Sequence, residues 1–304
     1  MNSNYKIVKI SKIILIILIF LMVGYFAFLN ITSPSHDRNW QLGADQLPRA
    51  QFIDSGTGDV FISNIRDAKY DDSGSIISSN YFAKKYTVSD IAAADFFVTS
   101  FGPNLTENLG VAHTIISFEF HDESNNSSEY LALSVEARKE SDESYGIGKG
   151  MLNQYEMIYV WATEQDVVRT RVEDRDESTY RYRLDTVDPQ LLQRLFVQLL
   201  NRTNEINNRP EFYHTIWKNC SLDLWRQVDK TFPGKIPFNS YIILPRKSGQ
   251  YLVDLGLSSG SPAPGLGNTL LVPEVKPIYY SVYSKLIRGY DPYSDELDQP
   301  YLND

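Results

Sequence analysis

The sequence predicts an α+β domain with a mostly antiparallel sheet, preceded by one transmembrane helix. Three observations carry this: strand-period runs fill the first half of the chain, helix-period runs follow them, and an uncharged apolar run precedes both. The segregation of strands from helices argues against a parallel βαβ architecture. Neither GxGxxG nor a P-loop is present.

The apolar run, residues 13–29, reads IILIILIFLMVGYFAFL. As a helix its seventeen residues span about 26 Å at ~1.5 Å per residue, near the lower limit for crossing hydrocarbon. Lys6, Lys9 and Lys12 precede it and no cation follows closely, so the positive-inside rule puts residues 1–12 in the cytoplasm and the rest outside. A cleaved signal peptide has the same basic start. The run is longer than the ~7–15 residues of a signal core, however, and lacks a small-x-small cleavage site, so a retained anchor is expected. No cysteine follows it to allow lipoprotein processing. The expected location is a bacterial inner membrane, crossed once, with the C-terminal domain in the periplasm.

Residues 30–48 contain Pro34, Pro48 and no apolar period, as in a linker. Residues 49–304 form the expected single domain. Within it DVFISNI (59–65), DFFVTSF (95–101) and VAHTIISFEF (111–120) have strand character. A polar turn at 122–129 then leads to YLALSVEA (130–137), which predicts a β-hairpin with the preceding run. YEMIYVWA (155–162) and YRYRL (180–184) add strands. After Asp188-Pro189, leucines and Phe196 recur at three and four residues through 190–204, which predicts a helix. A second helix is expected to start after an Asn219 N-cap and stop at Pro233-Gly234. The final sixty residues, rich in Gly, Pro, Ser and Tyr, predict a partly irregular wrap over the core.

Charge and composition exclude several functions. The net charge is −9 although every charged residue before residue 30 is a lysine, so the remainder carries −12 and repels nucleic acid. Cys220 is the only cysteine, which rules out an intrachain disulfide and a zinc site built on several thiolates. His113 and His121, eight residues apart, would lie about 27 Å apart on one strand at ~3.3 Å per residue, too far to share a metal. No metal and no cofactor is expected.

The chemistry-bearing candidates are Cys220, His113 and Glu136. Cys220 falls at the first residue of a helix, where the dipole favours a thiolate and lowers its pKa. His113 alternates with Ile115, Ser117 and Glu119 on a strand face that can present a rigid imidazole to that thiol as base and proton carrier. On the partner strand Ala132, Ser134, Glu136 and Arg138 share a face, so Glu136 is in reach of His113 to orient it, with Ser134 the alternative. His214 is nearer in sequence, but six helical residues would turn it away from the thiol. The structural alternatives are a buried, inert cysteine, a hydrogen-bonded strand histidine and a solvated Glu136 beside Arg138 and Lys139.

An ordered set of segments adds to this. HDRNW (36–40), NIRDAKY (64–70), AHTIISFEF (112–120), LALSVEARKE (131–140), QYEMIYVWATEQDVVRTR (154–171), PEFYHTIWKNCS (210–221) and YSKLIRGY (283–290) together resemble the Lnb N-terminal periplasmic domain family, long filed as a bacterial domain of unknown function. The order of His113 and Cys220 is also similar to circularly permuted papain-like proteins. These include NlpC/P60-related hydrolases and the lecithin:retinol and phospholipid acyltransferases, which place Asn-Cys at the head of the nucleophile helix. The resemblance implies a permuted papain-like domain with a thiol acyl-enzyme mechanism and, through Lnb itself, N-acylation of lipoproteins. The expected partner is a membrane lipid or lipoprotein substrate. A cysteine amidase or endopeptidase of the cell envelope uses the same dyad with water as acceptor, and a non-catalytic envelope binding module uses none of it.

Overall fold

The computed structural model describes residues 2–258, except 30, 54–57, 72, 101–111 and 174–178. The expected C-terminal wrap beyond residue 258, with the segment 283–290, and the far ends of the runs at 101 and 111 lie outside the described residues.

Helix α1, Asn2–Leu29, contains a 22-residue stretch, Val8–Leu29, long and apolar enough to cross a membrane. The chain then runs along the domain rather than away from it. His36 Nε2 meets the Ile206 carbonyl at 2.9 Å, Arg38 pairs with Glu156 and Glu140, and the Arg138 guanidinium lies 3.9 Å from the centre of the Trp40 ring.

Eight strands form one sheet: β1 (Arg49–Phe52), β2 (Asp59–Tyr70), β3 (Ile76–Thr87), β4 (Ile91–Ser100), β5 (Ala112–Asp122), β6 (Ser127–Arg138), β7 (Glu156–Ala162) and β8 (Thr179–Arg183). Their order is β1-β2-β7-β6-β5-β4-β8, with β3 also paired to β2. Every pairing is antiparallel except the brief parallel contact of β2 with β7 at Arg66 and Ala162. Asn64, at φ 57, marks the irregularity in the β2–β3 register between Ile62 and Ile65. The fold is thus mixed α and β on a mostly antiparallel open sheet.

Five further helices matter for the site. α2 (Ile147–Met151) precedes β7, α3 (Pro189–Asn208) and α4 (Cys220–Thr231) cover one sheet face, and α5 (Ser240–Ile243) and α6 (Ser248–Asp254) follow. α3 starts as Asp188 accepts from the Gln190 amide ahead of Pro189, a carboxylate cap with proline in the first turn. Its buried stripe of Leu192, Leu195, Phe196, Leu199 and Leu200 packs on Phe118, Leu133 and Trp161. Alternation along the strands splits the core. Ile116, Phe118, Leu133 and Tyr159 lie under the helices, whereas Ile115, Ala132, Ile158 and Val160 form a second cluster with Val167 and Val168 on the other face. The edge strand β8 is held by Arg181 and Arg183, which both pair with the fully buried Asp95 of β4.

Candidate functional site

The ladder between β5 and β6 runs from Asp122 and Ser127 to Ile115 and Ser134, then stops. Beyond that point β5 stays with β4 back to Ala112, while β6 stays with β7 out to Arg138. The sheet forks, and the edge of β5 between Ala112 and Thr114 loses its strand partner.

Cys220 fills that edge. Asn219 caps α4, its side chain accepting from the Leu222 amide at 2.9 Å, which fixes Cys220 as the first helical residue. The helix is anchored beneath by a buried polar knot in which Tyr159 donates to Asp223 at 2.6 Å and Arg202 reaches Asp223 and Glu211. Cys220 Sγ lies 4.0 Å from the Ala112 carbonyl, and the Thr114 amide and hydroxyl face the sulfur. The thiol therefore touches both chain neighbours of His113. By parity His113 belongs with Ile115, on the sheet face opposite α4, so the thiol and the imidazole lie on opposite faces of the sheet at the fork.

His113 is oriented by Ser134. Its Nε2 lies 2.7 Å from Ser134 Oγ, and Ser134 Oγ donates to Glu136 Oε1 at 2.8 Å. Ser134, the sequence alternative, is thus the direct neighbour of the imidazole, and Glu136 stands behind it. A hydroxyl has one proton, and Ser134 gives it to Glu136, so its oxygen accepts from Nε2–H. That assignment fixes which face of the imidazole the relay holds. Burial pushes the Glu136 pKa up, but the guanidiniums of Arg66 and Arg171, with His113 and Ser134, outweigh it and hold it at about 2. Arg66 is in turn locked by two 2.8 Å bonds to the fully buried Asp166, which also accepts from the Ala68 amide and the Tyr70 hydroxyl.

The expected lowering of the Cys220 pKa is not found. Burial raises it, and the opposing pull of the Thr114 amide and hydroxyl, the Ser221 amide and the Arg171 charge does not compensate. Two tyrosines, Tyr145 and Tyr213, form a lid beside the sulfur, their hydroxyls engaging one another and the Tyr213 hydroxyl lying at the Cys220 amide. Cys220 is only 4% exposed. On the outer side of the lid, a cavity of about 320 Å³ is lined by His113, Glu136, Arg66, Arg171, Tyr145 and Tyr213.

The other histidines are used elsewhere. His214 meets the Tyr25 hydroxyl with Nε2 at 3.0 Å and the Ile216 amide with Nδ1 at 3.2 Å, so neither nitrogen is directed to the thiol. His36 fastens the segment after the anchor, and His121 is paired with Ser128 near the far hairpin turn. Among the described residues no three His, Cys, Asp or Glu side chains are grouped to hold a metal ion.

A family model described as the Lnb N-terminal periplasmic domain matches residues 78–246. The chain belongs to this family. The matched span of the Lnb-type domain begins in β3, ends just beyond α5, and takes in the whole fork with His113, Ser134, Glu136 and Cys220. A periplasmic-domain family together with an N-terminal helix of membrane-spanning length agrees with a single-pass membrane protein whose domain is periplasmic. No curated protein and no solved structure matches the chain.

Sequence reasoning missed five contributors to the site of this Lnb-type domain: Arg66, Thr114, Tyr145, Arg171 and Tyr213. Arg66, Thr114 and Tyr213 lie inside segments already singled out for resemblance, and Arg171 closes another, so their positions were marked without a role. Tyr145 follows a charged stretch with no period, and nothing local marks it.

Proposed function

We propose that the domain is a membrane-anchored periplasmic thiol enzyme that forms an acyl-Cys220 intermediate and passes the acyl group to an amine of a lipoprotein or lipid. The observation that carries this reading is the chain from His113 Nε2 through Ser134 Oγ to the Glu136 carboxylate, which orients the imidazole at a break in the sheet that also holds the thiol. The chain order of strand histidine, orienting group on the next strand and capped helix-start cysteine supports a permuted papain-like arrangement.

In the first half-reaction the thiol proton passes to the His113 imidazole and sulfur attacks the donor ester carbonyl. The oxyanion takes the place at the Cys220 amide where the Tyr213 hydroxyl now lies, so the tyrosine lid has to move. Collapse expels the ester oxygen, which takes the imidazolium proton and leaves as the lyso-lipid alcohol, and the acyl group stays on sulfur as a thioester. An amine then attacks the thioester and yields its proton to the imidazole. The thiolate leaves, recovers that proton, and the amide departs.

A lipid donor is favoured by a second cavity, of about 450 Å³, within the ~300–1,000 Å³ typical of ligand sites. It runs beside the same helix, from Ser221 and Leu224 of α4 to Leu195 and Leu199 of α3 and Leu252 of α6, and its wall is almost entirely apolar. The acyl chain lies there, beginning one residue from the nucleophile.

The polar cavity with Arg66, Arg171 and Glu136 favours a second reading, an amidase or endopeptidase that hands the acyl group to water. The deciding experiment incubates the full chain in phospholipid vesicles and examines Cys220 by mass spectrometry. A hydroxylamine-labile fatty-acyl adduct, absent in His113→Ala, is expected. No adduct from lipid, with cleavage of envelope peptides dependent on Cys220, would establish the hydrolase instead, and neither activity would leave a binding module.

A further inference from the structure

The domain does not perch on the end of its anchor. Tyr25 lies four residues before the end of α1, about 6 Å inside the helix at ~1.5 Å per residue. Its hydroxyl nevertheless donates to the Met151 carbonyl at 2.6 Å and meets His214 Nε2 at 3.0 Å, and Asn153 bonds the Leu29 carbonyl at 3.2 Å. Two domain loops, α2 with the turn after it and residues 214–218, therefore reach down beside the last turn of the helix. The stretch of 22 residues is about 33 Å long, against a hydrocarbon core of ~30 Å, so its outer end lies at the boundary between hydrocarbon and headgroups and Tyr25 sits within one turn of it, on the hydrocarbon side.

The side chains that these loops expose suit that depth. Ile147 and Leu152 on the first loop are 40% and 39% exposed, and Ile216 and Trp217 on the second are 37% and 42% exposed. Trp217 stacks on His214 with ring centres 4.0 Å apart, which ties it to the residue that holds Tyr25. Thr215 laces the loops together, donating its amide to the Gly150 carbonyl and its hydroxyl to the Ile147 carbonyl, and the closeness of this crossing leaves no room for a Cβ at Gly150. Four large apolar side chains on a braced rim would be costly in water. Beside a transmembrane helix, with a tryptophan and a tyrosine at interface depth, they match the aromatic and aliphatic belt of membrane proteins.

We infer that this rim, Ile147, Leu152, Ile216 and Trp217, is inserted in the outer interface of the bilayer that α1 crosses, so the domain is bound to the membrane at a second point. The partner is the lipid surface itself. Tyr145 and Tyr213, which lie beside the thiol, sit at the ends of the same two loops, two residues from Ile147 and one from His214 respectively. Insertion therefore brings the lid of the candidate site to the bilayer surface in a fixed orientation, whatever reaction Cys220 performs.

The test uses the full chain with Cys220→Ala, which removes the only native thiol and makes the result independent of catalysis. Ile216→Cys, Leu152→Cys and, as a control on the far hairpin turn, Ser124→Cys are each spin-labelled in vesicles of phosphatidylcholine and phosphatidylglycerol. Power saturation then compares collisions with oxygen and with a water-soluble nickel chelate. Residues 216 and 152 are expected to favour oxygen several-fold more than residue 124. Equal preference at all three sites, or shielding of 216 and 152 from both reagents as under a protein partner, would overturn the inference. As a label-free check, brominated lipid should quench native fluorescence more than that of Trp217→Phe, and equal quenching would count against the rim in the same way.

Discussion

Ser134 stands between His113 and Glu136, accepting from the imidazole at 2.7 Å and donating to the carboxylate at 2.8 Å. The relay makes a hydroxyl, rather than an acid, the group that sets the histidine tautomer. Ser134→Ala removes the acceptor for Nε2–H and releases the ring, so turnover of the acyl substrate should fall by about 10²-fold, the lower end of the ~10²–10⁴ range for a positioned base. Ser134→Asn, which can still accept from Nε2–H, should recover part of the loss. Equal activity of Ser134→Ala and wild type would remove Ser134 from the site.

Glu136 gives the relay a pH signature. Its folded pKa, held at about 2, lies below the ordinary value of 4.5, so the charge stabilises the fold above pH 4.5 and this contribution fades as pH falls from 4.5 through about 2. The full effect is at most about 3 kcal/mol, since each unit of pKa is ~1.4 kcal/mol. Urea titrations across that window should show a steeper loss of stability in wild type than in Glu136→Gln. Parallel curves would mean that the carboxylate is not held by Arg66 and Arg171.

The foundation of that charge pair is the fully buried Asp166, which satisfies Arg66 with two bonds and takes two more from Ala68 and Tyr70. Asp166→Asn leaves a buried guanidinium facing a neutral amide whose NH₂ cannot accept. A cost of about 3–5 kcal/mol is expected, and at ~2–4 °C per kcal/mol the melting temperature should drop by roughly 6–20 °C. Calorimetry of the purified protein measures it directly.

Much of the fold is legible because its elements carry apolar runs of the right length and period. The runs at 59–65, 130–137 and 155–162, and the leucine stripe of 190–204, all coincide with observed elements, although β6 and β7 are buried on both faces rather than on one. β3 escapes the same reasoning because IISSNYFAKKYT is an edge strand with Tyr86 as its only fully buried residue, so it has no apolar face to betray it. The histidine, its two polar neighbours and the capped cysteine are also readable, since parity and an N-cap are local properties. Which neighbour touches His113 is not, because it depends on where the hairpin ladder stops. The thiol's raised pKa is equally hidden: its cause is burial at a point where segments far apart in sequence meet, residues 112–114, 145 and 213 among them.

That lid predicts a slow thiol. With burial raising its pKa, Cys220 should react with iodoacetamide at neutral pH more slowly than a free cysteine. Tyr145 is the outer member of the pair, and Tyr145→Ala opens the cover without touching the helix. A gain of roughly 10-fold in alkylation rate is expected, equivalent to ~1.4 kcal/mol of lost closure. An unchanged rate would show that the sulfur is buried by the sheet fork rather than by the tyrosines.

The apolar cavity beside α4 gives the last expectation, on chain length. Leu199 is fully buried on α3 and points into a space closed on the other side by Leu224 and Leu252. Leu199→Phe adds bulk in the middle of that space while keeping an apolar side chain, and overpacking of a helix–helix contact should cost about 1–3 kcal/mol of stability. If an acyl chain lies there, long-chain donors should lose acylation of Cys220 by 10-fold or more, whereas short-chain esters, which end before the obstruction, should react as in wild type. Each methylene buried is worth ~0.8 kcal/mol, so the discrimination should grow with every carbon beyond the block. A uniform loss across chain lengths would instead trace to the destabilised helix pair, and the acyl chain would have to lie on the polar side of the fork.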